Sequence, residues 1–114
     1  MSDSRKPASI EPADLQKLLQ KQDPLIIDMR SLEEFQAGHV KGALHIPIDQ
    51  LESHIAELPS DRTIVPYCNM FHPGQSRGEK ARDQLQAFGL DAQVLQGGFP
   101  AWRDADLPTE TDPE

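Results

Sequence analysis

Cys68 is the only cysteine of the 114-residue chain, and it opens a polar, glycine-containing stretch that reads CNMFHPGQSRG. An apolar run precedes it and a helix-like run follows it. The thiolate is the reactive form of cysteine, and an unperturbed thiol ionises near pH ~8.5, so a nucleophilic role needs a partner that stabilises the anion. The loop 69–75 (Asn69, Met70, Phe71, His72, Pro73, Gly74, Gln75) can offer inward-facing backbone N–H groups. A helix starting near Ser76 would aim the positive end of its dipole at the same place. Arg77 would add a full positive charge. These types in this order describe a thiolate in an anion cradle, suited to an anionic substrate or a charged sulfur adduct. A lone cysteine is more often an inert small hydrophobe; the strand–Cys–loop–helix context favours function.

Two other patterns are weaker. Gly74-Gln75-Ser76-Arg77-Gly78 matches the G-x-S-x-G elbow of serine hydrolases. That elbow needs its serine directly after a strand and a histidine later in the chain. Here the apolar run ends at Tyr67 and no histidine follows His72. Ser76 reads better as a helix N-cap. His39, His45, His54 and His72 are scattered without paired ligand spacing, so no metal and no cofactor is expected.

The elements that must position Cys68 alternate along the chain. Pro12 suits a first helical position, and Leu15, Leu18 and Leu19 follow at helical spacing until Asp23-Pro24. Leu25-Ile26-Ile27 suits a strand buried on both faces. Ser31 and Glu34 have capping-box spacing over a short helix with Leu32 and Phe35, stopped at Gly38. The segment 43–46 reads as a strand, Asp49 as the cap of a helix with Leu51, Ile55 and Leu58, and 63–67 as a strand. A helix is predicted from Ser76 to Phe88, closed by Gly89, then a strand over 92–95 and a last helix with Phe99 and Trp102 after Gly97-Gly98. Pro66 lies in the strand that should be central and predicts a bulge or an unpaired position. The pattern is α/β: a central, mostly parallel sheet of about five short strands with helices on both faces. Ligands of such sheets bind beyond the carboxyl ends of the strands, where Cys68 falls.

The bulk properties set limits. The length suits one domain, taken as 9–108, with a loose polar segment at 1–8 and an acidic tail at 109–114 that frays. The net charge of −8 and the lack of a basic patch argue against nucleic acid. No apolar run approaches ~18 residues, so no membrane span is expected. One cysteine excludes an internal disulfide and fits a reducing, cytoplasmic setting.

Three stretches resemble the signatures of rhodanese domains. Residues 25–47, LIIDMRSLEEFQAGHVKGALHIP, are similar to the N-terminal signature: an apolar strand, Asp-x-Arg, an acidic helix, then Gly-His-hydrophobic-x-Gly-Ala. Tyr67-Cys68 opens the place of the active-site loop, and residues 95–102, LQGGFPAW, resemble the C-terminal signature. The resemblance implies a sulfurtransferase. Cys68 would take a sulfane sulfur from a small anionic donor such as thiosulfate or a persulfide. It would hold it as a persulfide and pass it to a thiol, to cyanide or to a protein acceptor. Loop residues 69–77 would bind the anion. Asp28 would bond nearby backbone N–H groups and Arg30 would pair with Glu34. His39, Gly42 and Ala43 would shape the turn into the second strand, and Gly97 and Gly98 would permit close backbone approach near the site. Trp102 would belong to the core.

Cys68 to Arg77 is C-x8-R, longer than the usual rhodanese loop and than the C-x5-R ring of arsenate reductases and cell-cycle phosphatases. Tyr67 also stands where those phosphatases carry histidine. The extra segment 70–73 reads either as a lid, a specificity wall or a docking surface for a protein acceptor, or as a tolerated surface insertion. The alternatives to sulfur transfer are a non-catalytic interaction or regulatory module, whose members mostly lack the cysteine, and an arsenate reductase or phosphatase-like enzyme.

Overall fold

A computed structural model describes residues 9–69 and 77–111, with Arg77 described by its backbone alone. The expectations for 1–8, for Met70 to Ser76, and for 112–114 lie outside the described residues. Along the chain run β1 (Ser9–Ile10), α1 (Pro12–Lys21), β2 (Leu25–Asp28), α2 (Leu32–Ala37), β3 (His39–Val40), β4 (Leu44–His45), α3 (Leu51–His54), β5 (Ile64–Tyr67), α4 (Arg77–Ala87), β6 (Val94–Leu95), α5 (Gly98–Asp104) and β7 (Thr109–Glu110).

β2 lies between β4 and β5 and pairs with both in parallel. β1 pairs in parallel with β6, and a parallel bridge between Ile64 and Ala92 joins the two ladders. The spatial order is therefore β4-β2-β5-β6-β1, the expected parallel sheet. Alternate strand residues enter opposite layers. Ile26, Val65, Tyr67 and Leu95 pack with Leu15 of α1, Phe35 of α2 and Phe99 and Trp102 of α5. Ile27 and Ile64 pack with Leu51 of α3, Ile55, and Ala81 and Leu85 of α4. With both faces covered, every residue of β2 and β5 is buried, which explains their unbroken apolar sequence. Each buried aliphatic side chain contributes about 1.5–3 kcal/mol.

Pro66 makes no bulge: the β2–β5 register runs unbroken, with Ile27 opposite Pro66. In a parallel strand, successive residues turn their N–H and C=O to alternate neighbours. Thr63 and Tyr67 bond toward β2, whereas Ile64 donates to Asp91 and accepts from Gln93 on the β6 side. Pro66 shares the side of Ile64, so its missing donor falls on the weaker ladder, which closes only as a bridge.

Two expectations need correction. Asp49 does not cap a helix; it lies inside a 3-10 turn, Ile48–Gln50, that already starts at Pro47. The start of the acidic end, Thr109 and Glu110, is paired rather than frayed. β7 pairs antiparallel with β3, Pro108 accepts from the Trp102 indole at 2.7 Å, and a Glu110 carboxylate oxygen accepts from Gly42 N–H at 3.0 Å. The β3 pairing and the Gly42 bond join the tail to residues far back in the sequence, so local composition did not reveal them.

Candidate active site

β2 and β5 end side by side, with Asp28 opposite Tyr67. Their carboxyl ends release Met29-Arg30 and Cys68-Asn69 at one sheet edge. Asp28 is fully buried. Its carboxylate accepts from the Arg30 backbone N–H at 2.8 Å, from the Arg30 guanidinium (Nη2 at 2.8 Å) and from the Tyr67 hydroxyl at 2.7 Å. The same hydroxyl accepts from Val40 N–H at 3.0 Å. The expectation that Asp28 bonds nearby backbone holds.

Arg30 corrects a third expectation. Its ion pair is with Asp28, not with the Glu34 carboxylate. Asp28 is two residues away, buried and already fixed, so it takes the charge. Glu34 contributes its backbone carbonyl, 3.3 Å from Nη2, and the Gly38 carbonyl accepts from the same nitrogen. Arg30 thus ties down the C-terminal end of α2, adding a donor to the Glu34 carbonyl, which also accepts from Gly38 N–H at 3.2 Å. Its remaining nitrogen, Nη1, donates to Asn69 Oδ1 at 3.2 Å. The guanidinium also lies over the Phe99 ring, 4.4 Å from its centre. Burial opposes the charged form of Arg30, but the bond to Asp28, the Asp28 charge and the nearby Tyr67 and Glu34 together outweigh it and raise its pKa.

The Glu34 carboxylate completes the expected capping box with Ser31 and accepts from the Asn69 side-chain amide. Burial opposes its ionisation. The bonds from Ser31, the Arg30 charge and the Asn69 amide prevail, and its pKa falls below the ordinary value. Tyr67 moves the other way: burial first, then the Asp28 charge, hold its hydroxyl protonated far above the ordinary tyrosine range.

Cys68 is buried, 2% exposed, directly after β5. Its carbonyl accepts from Phe99 N–H at 2.8 Å. That contact depends on Gly97 and Gly98, at φ +82° and +65°. A Cβ on Gly97 would also come within 2.5 Å of the Ala101 Cβ. The glycine pair starts α5 abruptly enough to bring the Phe99 amide to the cysteine.

The fold therefore gathers Asp28, Arg30, Glu34, Cys68, Asn69, Gly97 and Gly98. His39 stands one step away, stacked on Phe35 with ring centres 3.8 Å apart and donating from Nδ1 to the Phe35 carbonyl at 2.6 Å. After it, Gly42, at φ +86°, and Ala43, whose N–H donates to the Val40 carbonyl at 3.0 Å, make the turn toward β4. For Arg77 the structure gives its place at the start of α4. The sequence reading missed the Tyr67 hydroxyl. A buried tyrosine needs a partner for its polar tip, and Asp28 at the end of the neighbouring strand was the available signal.

A family profile described as a rhodanese-like domain matches residues 11–105. The chain belongs to the rhodanese-like domain family. It is 37% identical over 106 residues to an HTH-type transcriptional regulator of Mycobacterium tuberculosis, covering 90% of this chain and only 44% of that relative. It is 29% identical over 100 residues to the thiosulfate sulfurtransferase GlpE of Pseudomonas savastanoi, covering 88% of this chain and 91% of GlpE. The rhodanese-like domain of an Anabaena protein, solved in solution, superposes with a TM-score of 0.78 at 25% identity, covering 93% of this chain and 80% of that one. Among the described residues of this rhodanese-like chain, no helix is long and apolar enough to cross a membrane.

Proposed function

We propose that the protein transfers sulfane sulfur through a persulfide on Cys68. The Cys68 thiolate attacks the sulfane sulfur of thiosulfate or of a persulfide donor. The donor's S–S bond breaks, and sulfite or a thiolate leaves. The acceptor, a thiol, cyanide or a protein thiol, then attacks the outer sulfur and Cys68 departs as thiolate. Two steps of modest barrier replace one difficult transfer. Backbone amides of 69–76 and the Arg77 charge would hold the anions, as helix N-termini and loop nests do.

The observation that carries this reading is the placement of the chain's sole cysteine. It directly follows the central strand of a rhodanese-like domain, with its carbonyl held by Phe99 and the next side chain held by Arg30 and Glu34. Such fixing on both sides lowers the reorganisation needed for attack. The relative named a transcriptional regulator, of which this chain covers 44%, favours a second reading, a non-catalytic regulatory module of the rhodanese type.

Thiocyanate formation from thiosulfate and cyanide tests the proposal. The wild-type protein should turn over and Cys68→Ser should not. Absence of thiocyanate with both thiosulfate and a small persulfide donor, or its persistence in Cys68→Ser, overturns it.

A further inference from the structure

We infer that the cavity beside Asn69 receives the body of the sulfur acceptor, and that Arg103 on its rim selects low-molecular-weight thiols carrying a carboxylate. The inference rests on the Cys68 persulfide reading and adds a subsite to it. The cavity has a volume of about 410 Å³ and is lined by Arg30, Glu34, Asn69, Phe99, Arg103 and Thr109 among others. Cys68 is not among its lining residues, but two that are adjoin the cysteine: Asn69 is the next residue, and Phe99 donates its N–H to the Cys68 carbonyl at 2.8 Å. Cyanide fills a small part of such a space, whereas volumes of about 300–1,000 Å³ are typical of small-molecule sites.

The charges facing the cavity point to the guest. Arg30 is neutralised by Asp28 at 2.8 Å. Glu34 is held anionic by Ser31, Arg30 and Asn69. Arg103 lies in the last turn of α5 with its side chain 60% exposed, and its ion pair is with the still more open Asp104 at 3.4 Å. An exposed pair between chain neighbours is weak and readily exchanged. The chain carries a net charge of −8, so a cation beside the cavity stands against an overall negative field. A guanidinium beside the cavity offers carboxylates planar, two-pronged recognition. The Phe99 ring, 5.9 Å from the Arg103 guanidinium, gives that side chain an apolar rest.

In the step this subsite serves, the acceptor thiolate attacks the outer sulfur of the Cys68 persulfide. A new S–S bond forms on the acceptor, the Cys68 S–S bond breaks, and its electron pair stays on Cys68. The product is the acceptor's persulfide, with no net oxidation.

The test measures discharge of preloaded Cys68 persulfide by 3-mercaptopropionate, which carries a carboxylate, and by 2-mercaptoethanol, which does not. Arg103→Ala should load sulfur as the wild type does. It should raise the half-saturating concentration of 3-mercaptopropionate about tenfold, equivalent to about 1.4 kcal/mol. It should leave 2-mercaptoethanol unchanged, and Arg103→Lys should recover part of the loss. Equal effects on both thiols, or none on either, overturn the inference while sulfur transfer stands. A wild type that cannot be loaded overturns the persulfide reading and this inference with it.

Discussion

Arg30 directs its donors to Asp28, to Asn69 and to the carbonyls of Glu34 and Gly38, and so joins a strand end, a helix end and the residue after Cys68. Asp28 is completely buried beside it, so the cost of removing one partner exceeds the net stabilisation of the intact pair. Arg30→Met leaves an uncompensated buried carboxylate and should cost about 3–5 kcal/mol in urea unfolding. Tyr67 makes a second prediction. Its hydroxyl keeps its proton in the folded protein at pH values where the unfolded chain, with an ordinary value of 10.0, loses it. The stabilisation is complete below pH ~10 and is lost as pH rises toward the folded value. Stability measured between pH 8 and 11 should therefore fall more steeply in wild type than in Tyr67→Phe, which cannot ionise there. Glu34 has the opposite sign. Its lowered folded value gives stability that is present above the ordinary carboxyl value of 4.5 and lost as pH falls through the folded one. Glu34→Gln should flatten that acid limb in the same unfolding series. The sequence made Asp28 and Arg30 visible but misassigned the Arg30 partner, because spacing within a helix cannot weigh a buried carboxylate two residues upstream. Asn69 lies 39 residues from Arg30, and no local pattern announces their bond.

At the scale of elements, Gly78 lets α4 sit hard against the sheet. A Cβ there would come within 2.7 Å of a Val94 methyl and 3.4 Å of the Tyr67 Cα. Gly78→Ala should push α4 from β5 and β6, lowering stability by about 1–3 kcal/mol despite alanine's better helix propensity, as thermal unfolding would report. Elements with strong local signals were legible: Pro12 opening α1, the Ser31–Glu34 capping box, the unbroken apolar runs of β2 and β5, and Gly97-Gly98 before α5. β1, β3 and β7 were not. Each is a two-residue strand that exists only through a partner distant in sequence, Ile10 with Leu95 and Val40 with Thr109. Asp49 failed as a cap because Pro47 starts the turn earlier.

At the scale of the whole molecule, the order β4-β2-β5-β6-β1 sets the carboxyl ends of β2 and β5 together, which places Arg30 and Cys68 at one edge. That arrangement was legible in the alternation of strands and helices, since both layers of the core repeat it. The cavity toward Arg103 was not, because it is bounded by α2, α5 and the end of the chain at once. The central claim is that this edge carries sulfur on Cys68. Intact-protein mass after exposure to thiosulfate tests it most directly, with Cys68→Ser as control. The account predicts a gain of one sulfur atom in the wild type, removed by cyanide and absent from the variant. An unchanged wild-type mass with thiosulfate and with a small persulfide donor, or a sulfur adduct that survives in Cys68→Ser, would contradict it.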